Sequence, residues 1–95
     1  MVFIDHDGLK FHVREAGEGR PFVFQHGLGG DVTQPFGLVR PPAGWRMIAF
    51  DFRAHGETRP LGDPGRIGIA SFADDVAGVL DRLGIAQAVI GGISM

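Results

Sequence analysis

An α/β fold, with a mostly parallel sheet behind an opening antiparallel hairpin, is predicted by three features of this 95-residue chain. Short apolar runs recur at residues 22–24, 45–50 and 88–90. One amphipathic stripe at helical spacing lies between the last two runs, and turn residues separate every pair. The resulting order, a hairpin and then strand, crossover, strand, helix, strand, is that of a sheet whose later strands run parallel.

Each element has its own reason. Residues 1–4 and 9–15 are separated by Asp7-Gly8, and the alternation Leu9, Phe11, Val13 turns one apolar face inward, which predicts the hairpin. The stretch 17–21, Gly-Glu-Gly-Arg-Pro, breaks the second strand. Phe22, Val23 and Phe24 are apolar without alternation, as expected of a strand buried on both faces. Residues 31–44 contain Pro35, Pro41 and Pro42 and predict a loop with a short helix near 36–40, before a strand at 45–50. The segment 51–70, rich in Gly, Pro and Arg, is long for a connection and of the kind that lines sites. Ser71 suits an N-cap with Asp74 in the capping-box place. Phe72, Val76, Val79, Leu80 and Leu83 form one stripe, and Gly84 suits the C-terminal cap. Residues 88–90 predict a last short buried strand.

Composition narrows the classes of function. With 44% hydrophobic residues and eight Phe, the chain makes at most one small globular unit. The net charge is -2, and one Lys and eight Arg are scattered without a stripe, which argues against a nucleic-acid or anionic membrane partner. There is no Cys, so no disulfide or thiolate chemistry is available. The first seven residues lack the basic start and long apolar stretch of a signal peptide, and no apolar run approaches the roughly 20 residues that cross a bilayer. A soluble, cytoplasmic protein is expected.

Chemistry concentrates where strands end. His26-Gly27-Leu28-Gly29-Gly30 follows the third strand, Asp51-Phe52-Arg53-Ala54-His55-Gly56 the fourth, and Gly92-Ile93-Ser94-Met95 the fifth. Parallel sheets carry their sites at such carboxyl ends. The final segment matches all but the last glycine of Gly-x-Ser-x-Gly, in which small residues let the backbone bend sharply and present a hydroxyl at the sheet tip. A serine needs a base to take its proton, and the tetrahedral intermediate it forms needs N–H donors for the new negative charge. Glycines beside it let the main chain approach.

On these clusters the chain resembles, over essentially its whole length, the amino-terminal third of an α/β-hydrolase fold enzyme of the serine-nucleophile branch. The Ser-Met pair after a glycine-rich strand end is similar to enol-lactonases and small carboxylesterases. The resemblance implies Ser94 as nucleophile and the N–H groups of Leu28 and Met95 as the oxyanion site. It implies His26, Gly27 and Gly29 as supports of that turn, and His55 as a structural partner of Asp51 and Arg53 in theirs. Ala54, where the family usually has Gly, and Glu57-Thr58, where a Ser often follows, depart from the pattern and touch the local turn geometry. The triad acid and histidine of the family follow the serine in chain order. Residues 1–95 are therefore expected to be the amino-terminal portion of one core domain, inactive alone, with acid, histidine and cap in a missing carboxyl-terminal part.

The expected reaction is hydrolysis of an ester, thioester or lactone of a small-molecule substrate, without cofactor. Carbon–carbon bond hydrolases and cofactor-free haloperoxidases share these motifs, whereas haloalkane dehalogenases place an aspartate where Ser94 stands. Other readings stay open: Ser94 as a helix N-cap alone, His26 as a local base, or a non-catalytic ligand binder on the same fold. A dinucleotide site is opposed by Val32 where a small residue is needed, and by prolines in the helix that would receive the pyrophosphate. His6 and His12 fall in the hairpin, and no clustering of ligands suggests a metal.

Overall fold

The structure, a computed structural model, describes residues 2–93. Strand β1 (Val2–His6) pairs antiparallel with β2 (Leu9–Gly17) through a turn in which Asp7 and Gly8 both take positive φ. Then come β3 (Arg20–Gln25), helix α1 (Thr33–Leu38), β4 (Trp45–Phe50), a short 3-10 turn (Pro64–Arg66), helix α2 (Ile69–Arg82) and β5 (Val89–Gly92). Among the described residues they form one five-stranded sheet in the order β1-β2-β4-β3-β5. β2 meets β4 antiparallel, while β3 runs parallel to both β4 and β5. The predicted α/β architecture is the observed one, and the hairpin and β4 fall where they were expected.

The core lies on the face covered by α2. Leu9, Phe11 and Val13 of β2, Ile48 and Phe50 of β4 and Val23 of β3 pack with Phe52 against Phe72 and Val79 of α2. Phe11, Phe50 and Phe52 meet edge to face in series, with centroids 5.6 and 5.5 Å apart, a geometry aromatic quadrupoles favour. Burying each such side chain contributes about 1.5–3 kcal/mol relative to exposure. On the opposite face, the Arg14 guanidinium sits 4.4 Å from the Phe36 ring and fastens α1 to β2.

Three expectations require correction. Helix α2 starts at Ile69 rather than after Ser71: Gly68 is its N-cap, without a side-chain bond, and its carbonyl accepts from the Phe72 N–H. The chain enters the helix straight from the preceding turn, so Ser71 sits inside it and no capping box forms with the exposed Asp74. The other end is as predicted: Gly84 takes φ +73, its N–H donates to Asp81 and that of Ile85 to Leu80, the paired bonds of a Schellman cap. Helix α1 lies a few residues earlier than 36–40, its first turn supported by Asp31, whose carboxylate accepts from the Thr33 N–H and hydroxyl. Those two bonds hold the Asp31 carboxyl below its ordinary pKa. Finally, β3 and β5 are not buried on both faces. Val23 is, but Phe22 and Phe24 are half-buried, and Val89 and Ile90 are 54% and 59% exposed. β5 is the sheet edge, with β3 as its one neighbour among the described residues.

Candidate active site

From β3 the chain crosses to β4 on one side, and from β4 it returns over β3 to β5 on the other. The connection reverses there, and in parallel sheets the carboxyl ends at such a reversal form a crevice. Gln25 and Gly92 are register partners, and the Ile93 N–H donates to the Gln25 carbonyl at 3.0 Å. The end of β5 is thus brought within one hydrogen bond of the residue that precedes His26. A cavity of about 200 Å³ opens here between Gln25, His26, Phe52, Val76, Ile90 and Ile93. Larger hollows of about 370 and 260 Å³ lie around Trp45 and Val89, toward the amino ends of the parallel strands and away from the carboxyl-edge loops.

The loop after β3 is shaped by backbone demands. Residues 27–30 make a turn closed by the Gly30 N–H on the Gly27 carbonyl at 2.9 Å, with Gly29 at φ +83. Leu28 has no positive φ, so the turn is of type II. A Cβ on Gly30 would meet Gln34 Oε1 at 2.7 Å, and that same oxygen accepts the Gly27 N–H at 2.8 Å. Leu28 is left 66% exposed, and among the described residues its N–H has no acceptor.

Two histidines tie this loop to the one after β4. His26, 1% exposed, accepts the Phe52 N–H on Nε2 at 3.0 Å, so its proton sits on Nδ1, which donates to the Gly27 carbonyl at 2.6 Å. Burial pushes its pKa below the ordinary histidine value and keeps it neutral. Both ring nitrogens are occupied, which leaves neither to serve as a base toward a nucleophile. His55 returns the contact: its Nε2 accepts the Gly29 N–H at 2.9 Å, and Nδ1–H donates to the Arg53 carbonyl at 2.8 Å. Of the two partners expected for His55, its ring bonds the main chain of Arg53 and, among the described residues, makes no hydrogen bond to Asp51; the reach to Gly29 is additional.

Asp51 organises the second loop. It is 1% exposed, and its carboxylate accepts the Val32 N–H at 2.8 Å, the Glu57 N–H at 2.8 Å and His12 Nδ1 at 2.7 Å. Gly56, at φ +49, lies so close that any Cβ would collide with that carboxylate. Ala54 adopts φ +63, the left-handed geometry glycine takes without cost. Arg53 is 2% exposed and binds Asp75 of α2 through Nε and Nη2, both at 2.7 Å, and Asp7 at 2.9 Å. These partners raise the Arg53 pKa further, and Arg53 and Arg66 hold the Asp7 carboxyl below its usual range.

His12 and Asp75 were not anticipated as participants. His12 lies on β2 out of phase with Leu9, Phe11 and Val13, so alternation assigns it to solvent, yet residues 51–58 fold over it. Asp75 did leave a signal, a carboxylate on the apolar side of α2 between Phe72 and Val79. Among the described residues no group of three or more His, Cys, Asp or Glu converges as a metal site. Ser94 and Met95 lie outside the described residues.

A mostly parallel sheet with an antiparallel opening, a crevice at the strand reversal and two glycine-bearing loops stapled beside it define an α/β protein built around a carboxyl-edge site. The chain belongs to the alpha/beta hydrolase fold family, whose model matches residues 20–95. It is 36% identical over 91 residues to a non-heme chloroperoxidase, CPO-A1, of Kitasatospora aureofaciens, a match covering 94% of this chain and 32% of that protein. Among solved structures it is similar to the enol-lactonase of Burkholderia xenovorans LB400, with 29% identity, a TM-score of 0.80 and coverage of 98% of this chain and 37% of that one. It is also similar to the N-acyl homoserine lactonase AidH, at 32% identity and a TM-score of 0.82, over 93% of this chain and 34% of that one. The chain spans about a third of the length of the curated relatives it matches. No helix among the described residues is long and apolar enough to cross a membrane.

Proposed function

We propose that these residues form the nucleophile and oxyanion half of a serine hydrolase that cleaves an ester, thioester or lactone of a small molecule through an acyl-enzyme. The observation that carries the proposal is the bond from the Ile93 N–H to the Gln25 carbonyl, beside a turn whose Leu28 N–H has no acceptor among the described residues. The residue after Ile93 is Ser94, and in this reading its hydroxyl attacks the substrate carbonyl. The N–H groups of Leu28 and Met95 meet the negative charge that develops on the carbonyl oxygen. Losing one such donor costs about 10²–10³ in rate. The alkoxide-like intermediate collapses to an acyl-enzyme as the leaving group takes a proton, and water then releases the acid by the reverse sequence of proton transfers.

The base cannot be His26, whose ring nitrogens are both engaged. A histidine and a carboxylate from chain beyond residue 95 complete the triad, in the order serine, acid, histidine. The lactonases among similar solved structures support the substrate class.

A fluorophosphonate probe tests the proposal on the whole protein. It labels the native protein, and Ser94→Ala abolishes the label. Labelling that persists in the variant places the nucleophile elsewhere, and no labelling of the native protein leaves a ligand-binding role on the same fold.

A further inference from the structure

We infer that Thr58 is a positioning residue for the oxyanion site. Its hydroxyl, set into the end of the β2–β4 ladder, aims the Phe52 N–H at His26, whose ring seats the peptide that carries the Leu28 N–H. The inference rests on the proposed function, in which that N–H stabilises the intermediate.

The ladder between β2 and β4 opens at one bond. Antiparallel residues in a hydrogen-bonded pair exchange both of their N–H groups. The pair that follows Val13 and Phe50 is His12 and Asp51, and half of it is made, with the Asp51 N–H donating to the His12 carbonyl at 2.9 Å. The return bond is not direct. The His12 N–H donates to Thr58 Oγ1 at 3.1 Å, and that hydroxyl donates in turn to the Asp51 carbonyl at 2.6 Å. Thr58 is wholly buried, and among the described residues no main-chain N–H reaches the Asp51 carbonyl. The inserted oxygen spreads the two strands on this side and sets the tilt of the peptide that joins Asp51 to Phe52.

Planar units carry that tilt to the site. The carbonyl that Thr58 holds and the Phe52 N–H are opposite ends of one rigid peptide. The Phe52 N–H donates to His26 Nε2 at 3.0 Å, which leaves the ring proton on Nδ1, and Nδ1–H donates to the Gly27 carbonyl at 2.6 Å. That carbonyl and the Leu28 N–H are again opposite ends of one peptide. The closing bond from Gly30 grips the same carbonyl, but it is internal to the turn and fixes shape rather than place. The His26 ring fixes place, because its other nitrogen is tied to the end of β4. With the proton on Nε2 instead, the Nδ1 lone pair would face the Gly27 oxygen and repel it. From the His12 N–H onward every bond of the series donates in the same sense, so each polarises the next toward a stronger Leu28 donor. The bonds of His55 to Gly29 and of Asp51 to Val32 keep the loop near its place when the series is cut. Loss of the hydroxyl should therefore remove only part of the factor of about 10²–10³ that a whole donor is worth.

Two substitutions separate this role from simple packing. Thr58→Val keeps the shape and removes the hydroxyl, whereas Thr58→Ser keeps the hydroxyl. In the whole protein, Thr58→Val should slow fluorophosphonate labelling of Ser94 about three- to tenfold, and kcat against an ester should fall while KM stays close to native. Exchange of the Phe52 amide should speed about tenfold, and the ring nitrogen shifts of His26 should show the Nε2–H tautomer beside the native one. A residue that only fills space at position 58 would move neither. Thr58→Ser should keep the native tautomer and label within about twofold of native. Unchanged labelling or an unchanged His26 tautomer in Thr58→Val, or a Thr58→Ser that behaves like Thr58→Val, overturns the inference while the labelled native protein keeps the serine hydrolase reading. If Thr58→Val does not fold, the native protein decides. A slowly exchanging Thr58 hydroxyl proton, together with a coupling across the hydrogen bond between the Phe52 nitrogen and His26 Nε2, supports the series, and the absence of either overturns it. A native protein that does not label at all overturns the hydrolase reading, and this one with it.

Discussion

Gln25 grips Phe50 by both of its backbone groups: Nε2 donates to the Phe50 carbonyl at 2.9 Å, and Oε1 accepts the Phe50 N–H at 2.8 Å. The paired register of β3 and β4 extends only from Arg20 with Trp45 to Val23 with Ile48. Beyond it a side chain stands in for the ladder and spaces the two strand ends apart, so the loops that follow leave the sheet on diverging paths. Gln25→Leu keeps the volume but leaves two buried main-chain groups without partners. A loss of about 2–4 kcal/mol in urea unfolding is expected. A loss below about 1 kcal/mol would show that β3 closes onto β4 instead.

Arg53 and Asp75 make a second prediction, because both are almost wholly buried and their pairing is bidentate. Asp75→Ala strands a guanidinium in the core with only the half-exposed Asp7 to face it. Removing one member of a buried pair typically costs about 3–5 kcal/mol, whereas the exposed pair of Lys10 with Asp5 should be worth less than about 1 kcal/mol. Unfolding of Asp75→Ala and Asp5→Ala, measured side by side, should differ by that margin. Equal losses would remove Arg53 from its role as the anchor of the second loop.

These contacts show where local pattern suffices and where it does not. The hairpin, β4 and the apolar side of α2 follow from alternation and helical spacing, since those periods are set by the backbone and need no knowledge of partners. The glycines at 29, 30 and 56 were legible for a similar reason: the turns they occupy exclude a Cβ or need positive φ. What was hidden depends on pairs far apart in the chain. His12 reaches Asp51 and Gly29 reaches His55 across intervals no window of sequence spans. The start of α2 was misplaced because Ser71 and Asp74 satisfy a capping pattern that Gly68 pre-empts. The exposure of β5 was missed because apolar character reports the burial a strand favours, and here its outer edge has no described neighbour.

Ala54 carries a strain that a glycine would remove. At φ +63 its Cβ crowds its own carbonyl, at a cost of roughly 1–2 kcal/mol, part of which the greater freedom of glycine in the unfolded chain offsets. Ala54→Gly should therefore stabilise the protein by up to about 1 kcal/mol, seen as a higher midpoint in urea at constant slope. Gly56→Ala should act in the opposite sense, since its Cβ would strike the Asp51 carboxylate that holds Val32, Glu57 and His12. Destabilisation by Ala54→Gly would mean that the alanine methyl group makes contacts worth more than the strain.

His26 makes stability depend on pH in a defined direction. Burial lowers its pKa in the folded protein beneath the value near 6.5 that it has when unfolded. Between the two values the unfolded chain binds more protons than the folded one, so stability rises with pH there. The contribution is complete above about pH 6.5 and is lost as pH falls from there through the folded-state pKa. The depressed carboxyls of Asp7 and Asp31 start from 3.8 and act at lower pH, outside this window. Protonating His26 would convert Nε2 from acceptor to donor directly against the Phe52 N–H, and the loops after β3 and β4 would separate. Melting temperature should fall from about pH 6.5 to 5 and do so less steeply in His26→Gln, which cannot charge. Ring nitrogen shifts of His26 that report protonation at or above about pH 6.5, or a pH slope unchanged in the variant, would overturn the neutral staple on which the geometry of the first loop depends.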